Sequence, residues 1–296
     1  MARRARRNGR RADSAWTGYL DDVSEQPSGP GAAGLTGPPA GWPTPWADVN
    51  ELVARLRDGV TDALGDRLVG LYLSGSLAAG DFDPESSDID FVAAVTEELP
   101  PDRVDALGTV HAVLAASGLP FAHHLEGSYL PLGALRRYDP ADAHHPTVGA
   151  DWPFGVHQHG YDGVFNRAIL RDHGVVVLGP DPATLVDPIG PDELRDAVRA
   201  LLRDFWAIQD EHSDWLRPRN YQAFAVLSMC RALYTLEHGK LASKPVTAAW
   251  AREHLDPPWT DQVDRALSWR RDRRPDAAAL PDTLAFIQFT LDRAGV

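Results

Sequence analysis

Asp88 and Asp90 stand two residues apart, separated by eleven residues from a Gly75-Ser76 turn, with apolar runs at 68–73 and 91–95 on either side. A run that stops at Ser74-Gly75-Ser76 reads as a buried strand ending in a tight turn. Glycine there lets backbone amides approach a ligand closely. Residues two apart on a strand share a face, so both carboxylates point the same way. Two carboxylates so placed repel each other and resist ionising together unless a cation joins them. A hard, oxygen-seeking Mg²⁺ carrying nucleotide phosphates suits such a pair. The pattern reads as a phosphate-and-metal site; a plain βαβ turn followed by a surface Asp pair is the alternative.

A third carboxylate, Glu126, lies in HHLEGSYLP, a stretch that reads as a strand over 121–129. Glutamate between apolar strand neighbours is depleted unless paired. Beside the Asp pair it would hold metal or accept a proton; an ordinary edge-strand glutamate is the alternative. Farther on, Gly239 stops one helix and Ser243-Lys244-Pro245 opens the next, with serine as a cap and proline in the first turn. Helix N-termini favour phosphate, and Lys244 adds a mobile charge there. His123, His124, His144, His145, His157 and His159 invite a metal reading, but His144-His145 and His157-x-His159 fall in a Pro- and Gly-rich region where polar loops are expected, and no zinc ligand set is completed. Trp152, Phe154, Tyr161 and Phe165 would stack on a sugar or base, or seal a junction between domains; sealing is the expectation.

The elements that must position these groups follow from periodicity. Apolar residues at helical spacing from Asp48 to Leu64, and again over 101–117, predict two amphipathic helices covering a sheet. Val175 to Leu178 predicts a further strand, and Pro180-Asp181-Pro182 breaks the chain. Beyond Pro191 the pattern is helical: one helix opening at Pro191, then 221–238, 245–254, 260–271 and 281–293. The expected organisation is α+β, a mixed-sheet domain at 45–182 followed by an all-helical bundle at 183–296. Residues 1–44, rich in Arg, Gly, Pro and Ser, bury too little apolar surface to order and are expected to form a disordered tail. No apolar segment follows the arginines, so a signal peptide is not expected.

Net charge is −13, yet residues 1–11 hold six arginines and no acid, which leaves −19 on the rest. An acidic body repels nucleic acid and concentrates cationic small molecules through its summed field. A small cationic partner is therefore expected, and neither nucleic acid nor membrane. No run of about 18 apolar residues occurs, and Cys230 is the only cysteine, which excludes a disulfide framework and a cysteine-based zinc site. A soluble, cytoplasmic monomer is the expectation.

Gly75-Ser76 followed by Asp88-x-Asp90 between two strands resembles the signature of the polymerase-β-type nucleotidyltransferase superfamily. The segment 228–251, SMCRALYTLEHGKLASKPVTAAWA, resembles the helical C-terminal domain of the streptomycin and spectinomycin adenylyltransferases. The likeness spans about 68–269 and includes both motifs in the right order. It implies a mixed α/β nucleotidyltransferase domain plus a helical bundle, with ATP and Mg²⁺ in the cleft between them. By that resemblance Asp88 and Asp90, joined by Glu126, hold Mg²⁺, Ser76 and Ser87 donate hydrogen bonds to phosphate oxygens beside Gly75, and Glu126 is the catalytic base. Lys244 takes the place of a lysine that contacts the ATP phosphates, although Ser243 replaces the family's proline and Pro245 follows. Arg231 matches a further family position, with buried structural pairing to an acid as its alternative, and Trp269 lies near an aromatic that stacks on adenine.

The implied reaction is transfer of AMP from ATP to a hydroxyl of an aminoglycoside or aminocyclitol, with release of pyrophosphate. One departure bears on the acceptor. Arg217-Pro218-Arg219-Asn220-Tyr221 supplies arginines where the family has a drug-binding aspartate; Glu211 or Asp214 would have to substitute. A nucleotidyltransferase acting on protein or RNA, or a non-catalytic nucleotide sensor, remain the other readings of the same motifs.

Overall fold

The computed structural model describes residues 43–149, 152–158, 162–209 and 213–296. The expected tail lies outside the described residues but for Pro43 and Thr44, as do Tyr161, His159 and Glu211. The chain begins with α1 (Ala47–Leu64), whose residues Val49, Leu52, Val53, Leu56, Val60 and Leu64 form one buried stripe. That spacing is the 3.6-residue period, so the stripe packs on a flat apolar surface. The surface is a six-stranded sheet. Strand β1 (Leu68–Leu73) leads through the one-turn helix α2 (Gly75–Ala79) to β2 (Ile89–Val95), then α3 (Pro101–Ala115), β3 (Leu125–Pro131) and α4 (Leu132–Arg136). A hairpin of β4 (His144–Gly149) and β5 (Trp152–Gln158) precedes α5 (Asp162–His173) and the closing strand β6 (Val175–Leu178).

The strand order is β5-β4-β3-β2-β1-β6. Among the described strands only β2 and β3 run parallel. A parallel pair needs a long crossover, and α3 supplies it. The alternation along each strand sorts side chains between two cores. Leu71, Leu73, Phe91, Ala93, Val95, Leu125 and Tyr129 face α1 and α3. Tyr72, Val92, Ala94 and Leu130 face the opposite side with Leu170 of α5. Asp90 and Glu126 share the parity of this second set, and in the β2–β3 register they are direct partners.

The third strand starts four residues later than its sequence predicts. Residues 119–124 form a turn, with Phe121 at φ 64° and the His124 N–H donating to the Phe121 carbonyl at 2.9 Å. That turn, rather than strand, brings His124 next to Asp88. Phe154 does not seal the junction: it stacks on buried His111 (5.0 Å between centroids) on the α1–α3 side of the sheet. Phe165 does lie at the junction, against both the bundle core and the small cluster of Val164, Ala168, Leu194 and Ala197.

The remaining elements are helical: α6 (Pro191–Asp204), α7 (Arg219–His238), α8 (Lys244–His254), α9 (Trp259–Trp269) and α10 (Leu280–Ala294). Helix α7 is central, and its Ala223, Val226, Leu227, Cys230 and Leu233 belong to one core with Ala248, Val263, Phe286 and Ile287 of the helices around it. Among the described residues no helix is long and apolar enough to cross a membrane.

Candidate active site between the sheet and the helical bundle

The site is built first on a close approach. Gly75 has φ +55°, and a Cβ placed on it would lie 1.8 Å from Oδ2 of Asp90. Only glycine fits both the left-handed backbone and the absent side-chain volume. The approach lets the Ser76 backbone N–H reach the Asp90 carboxylate, while the Ser74 N–H donates to the Asp90 carbonyl at 2.9 Å. Ser76 Oγ is buried with no hydrogen-bond partner. A buried hydroxyl left unpaired costs on the order of 1–3 kcal/mol, so it marks a place shaped for a polar group.

Asp88 lies just ahead of β2 rather than within it, and its Oδ1 is 3.1 Å from His124 Nδ1. Asp90 is the second residue of the strand. Burial, then the repulsion of Asp88, push the Asp90 carboxyl up to about 7, against smaller opposing effects from Lys244, the Ser76 N–H and Arg231. A buried carboxyl raised in this way beside a second acid favours a cation. Glu126 stands beside Asp90 across the β2–β3 ladder. Among the described residues no three His, Cys, Asp or Glu side chains form a ready-made metal cage. Asp90 and Glu126 are register partners, but the three acids form no closed ligand set among the described residues. The donor chemistry of the Asp pair and the unpaired Ser76 hydroxyl fit a hard cation carrying phosphate.

Ser87 has a structural task as well: its Oγ accepts from the Asp83 N–H at 3.0 Å. That acceptor role is compatible with donation of the hydroxyl proton to a ligand.

The bundle supplies the opposite charge. Lys244 is the first residue of α8, one position earlier than its sequence predicts, and the preceding Ser243 makes no side-chain cap. Lys244 Nζ sits 5.2 Å from the centre of the Phe224 ring. Burial, then Arg231 and Arg270, push the Lys244 ammonium down to about 8, against the attraction of Asp81 and Asp90. Arg231, on α7, is held below the usual guanidinium range by burial, with Asp81 and Asp90 as its counter-charges. Arg231 therefore has acids as counter-charges, which is the structural alternative the sequence allowed.

Trp269 ends α9 with two guanidiniums over its ring, Arg219 at 4.8 Å and Arg265 at 5.5 Å. An adenine stacking there would compete with both. The two arginines that stood in place of the drug-binding acid are spoken for. Arg217 pairs with Asp214 at 2.7 Å, and Arg219 pairs with Asp272 at 3.0 Å and Asp276 at 2.8 Å. Sequence reasoning missed Asp81 and Arg270. Asp81 lies inside the eleven-residue spacer, and Arg270 opens an RRDRR run that in sequence looks like a solvated face.

The architecture is α+β: a mixed sheet offers an acid pair beside a Gly-Ser turn, and a helical bundle faces it with cations. The fold agrees with the crystal structure of spectinomycin adenyltransferase AAD(9) from Enterococcus faecialis with ATP and spectinomycin, at a TM-score of 0.63 and 15% identity over 83% of this chain and 99% of that one. At the sequence level, residues 184–289 match the family of the aminoglycoside adenylyltransferase C-terminal domain. The aminoglycoside (3'') (9) adenylyltransferase of Shigella flexneri is 25% identical over 222 residues, covering 71% of this chain and 80% of the relative. That of Klebsiella pneumoniae is 26% identical over 201 residues, 64% and 72% of the two chains. That of Rhizobium radiobacter is 33% identical over 85 residues, 29% of each. The chain is thus similar to aminoglycoside adenylyltransferases, with the family match confined to its helical part.

Proposed function

We propose that the protein transfers AMP from ATP to a hydroxyl of a small cationic acceptor, an aminoglycoside or aminocyclitol, releasing pyrophosphate. One observation carries the reading: a buried acid that resists ionising faces a buried cation that resists protonation. Asp90 is pushed up to about 7 and Lys244 down to about 8. A metal-bound triphosphate relieves both strains at once, because the cation joins the acids and the phosphates join Lys244, Arg231 and Arg270.

In this reading Asp88 and Asp90 hold Mg²⁺, and Glu126 either completes its ligands or accepts the hydroxyl proton. The ion, when bound, neutralises phosphate charge and orients the α-phosphoryl group. Ser76 and Ser87 donate to phosphate oxygens, and Lys244 and Arg231 offset the charge that accumulates on the leaving pyrophosphate. The acceptor oxygen attacks the α-phosphorus, the bond to the bridging oxygen breaks, and the hydroxyl proton passes to Glu126. Adenine would stack near Trp269, beside the guanidiniums of Arg219 and Arg265.

The acidic body and the internal neutralisation of Arg217 and Arg219 support a cationic acceptor. One chain supplies both sides of the groove, so a monomer suffices, and the demand for ATP sets the reaction in the cytoplasm. The test is incubation of purified protein with ATP, Mg²⁺ and a panel containing streptomycin and spectinomycin, followed by pyrophosphate detection and product mass. An acceptor heavier by one adenylyl group is the expected result. No pyrophosphate release across the panel rejects the substrate class, and label from ATP appearing on macromolecules in a lysate redirects the reaction to protein or RNA.

A further inference from the structure

The loop between α2 and β2 delivers Ser87 and Asp88, and one residue organises it. Asp83 accepts from the Glu85 N–H at 3.2 Å and the Ser86 hydroxyl at 2.8 Å. Its carbonyl accepts from the N–H groups of Ser86 (3.0 Å) and Ser87 (2.8 Å), and its own N–H donates to Ser87 Oγ. Every one of these bonds acts on the segment that ends at Asp88.

The same carboxylate is gripped from the helical half. Arg271, two residues past the end of α9, donates from Nε to Asp83 Oδ2 at 3.1 Å and from Nη2 to Oδ1 at 2.7 Å, a forked pair, while Nη1 donates to Glu85. The Asp83 side chain is 15% exposed and that of Arg271 is 56% exposed. Forked guanidinium–carboxylate pairs fix geometry as well as supply charge.

The anchor behind Arg271 is firm. The Asn220 N–H donates to the Asp272 carbonyl at 2.8 Å, the Arg219 N–H to the Arg274 carbonyl at 3.0 Å, and the Asp276 N–H to the Arg217 carbonyl at 2.8 Å. Arg219 adds its pairs with Asp272 and Asp276. The stretch 271–276 is therefore tied to the start of α7, the helix that carries Arg231. Arg270, which repels Lys244, immediately precedes the grip. A path of bonds runs from α7 through the 271–276 stretch and Asp83 to Ser87, the residue before Asp88.

We propose that Arg271 is a positioning residue for the adenylyl transfer: it latches the helical half onto the Asp83–Glu85 loop and so sets the spacing between the acids on one side of the groove and the cations on the other. This rests on the reading given under Proposed function. A partly exposed ion pair contributes only about 0–1 kcal/mol to stability, so the latch works through geometry. A misplacement of about 1 Å at a reacting centre costs roughly 100-fold in rate.

The test compares the full chain with Arg271→Ala and Arg271→Lys. Steady-state kinetics are taken with Mg²⁺-ATP as the varied substrate, hydrogen exchange is followed over residues 81–88, and thermal midpoints are recorded. For Arg271→Ala the expected result is a midpoint within about 2 °C of the parent, a fall in kcat/KM for ATP of at least about tenfold, and faster exchange over 81–88. Arg271→Lys keeps the charge without the fork and recovers only a minor part of the loss. Unchanged exchange, kcat/KM within about twofold of the parent, or full recovery by lysine overturns the proposal. If the parent protein adenylylates no acceptor, the proposed reaction fails, and exchange over 81–88 alone then decides whether the latch exists.

Discussion

Asp90→Asn separates what the site costs the fold from what it gives the reaction. Burial and Asp88 raise the Asp90 carboxyl from 3.8 to about 7. Between those values the folded protein keeps a proton that the unfolded chain has lost. Stability therefore falls as pH rises through that window, and the loss is complete above about 7. Between pH 5 and pH 8 the titration spans about two pH units, at about 1.4 kcal/mol each, so Asp90 removes about 3 kcal/mol from the unliganded fold. Asparagine keeps an oxygen for the Ser76 N–H and fits against Gly75, but it cannot ionise. The measurement is chemical denaturation in EDTA at both pH values for the parent and the variant. The parent should lose about 3 kcal/mol more than the variant on going from pH 5 to pH 8. Mg²⁺ with a non-hydrolysable ATP analogue should remove that difference, because the joined cation ends the repulsion. Turnover by the variant should fall by at least about 100-fold. Parallel stability profiles for the two proteins would refute the claim that Asp90 is held in a costly ionised state for a cation.

Three further perturbations probe the same arrangement. Gly75→Ala forces a Cβ to within 1.8 Å of the Asp90 carboxylate in a left-handed backbone; a stability loss of at least about 1–2 kcal/mol is expected with activity lost alongside, and an unaltered thermal midpoint would show that the turn does not need glycine. Lys244, pushed down to about 8, loses its proton as pH rises through that value; KM for ATP should climb above about pH 8 in the parent and stay flat in Lys244→Arg, whereas identical profiles would remove Lys244 from phosphate binding. Glu126→Gln should lower kcat by about 100-fold to 10,000-fold while ATP affinity, read by calorimetry, changes little; a large loss of affinity with normal kcat would assign Glu126 to the metal rather than to the proton.

Much of this protein is legible in the chain itself, because local rules dominate where they were applied. The stripes in α1 and α3, the apolar runs of β1 and β2, and the Gly239 and Pro191 boundaries each follow from period and turn chemistry within a few residues. Gly75-Ser76 and Asp88-x-Asp90 carry their chemistry in their spacing. What sequence could not decide depends on contacts between segments far apart in the chain. The side of the sheet shared by Asp90 and Glu126 is set by the β2–β3 register, and the early turn at 119–124 that brings His124 to Asp88 overrides strand propensity. Asp81 and Arg270 look like solvated charges until the bundle docks, since an isolated charge does not reveal which opposite charge it will meet. Arg217 and Arg219 read as an obstacle to a cationic ligand in sequence; their neutralisation by Asp214, Asp272 and Asp276 is a fact of folding alone. Residue types and spacing named the chemistry, and tertiary structure decided which charges face one another, because electrostatic energy depends on distance through space and on burial rather than on separation along the chain.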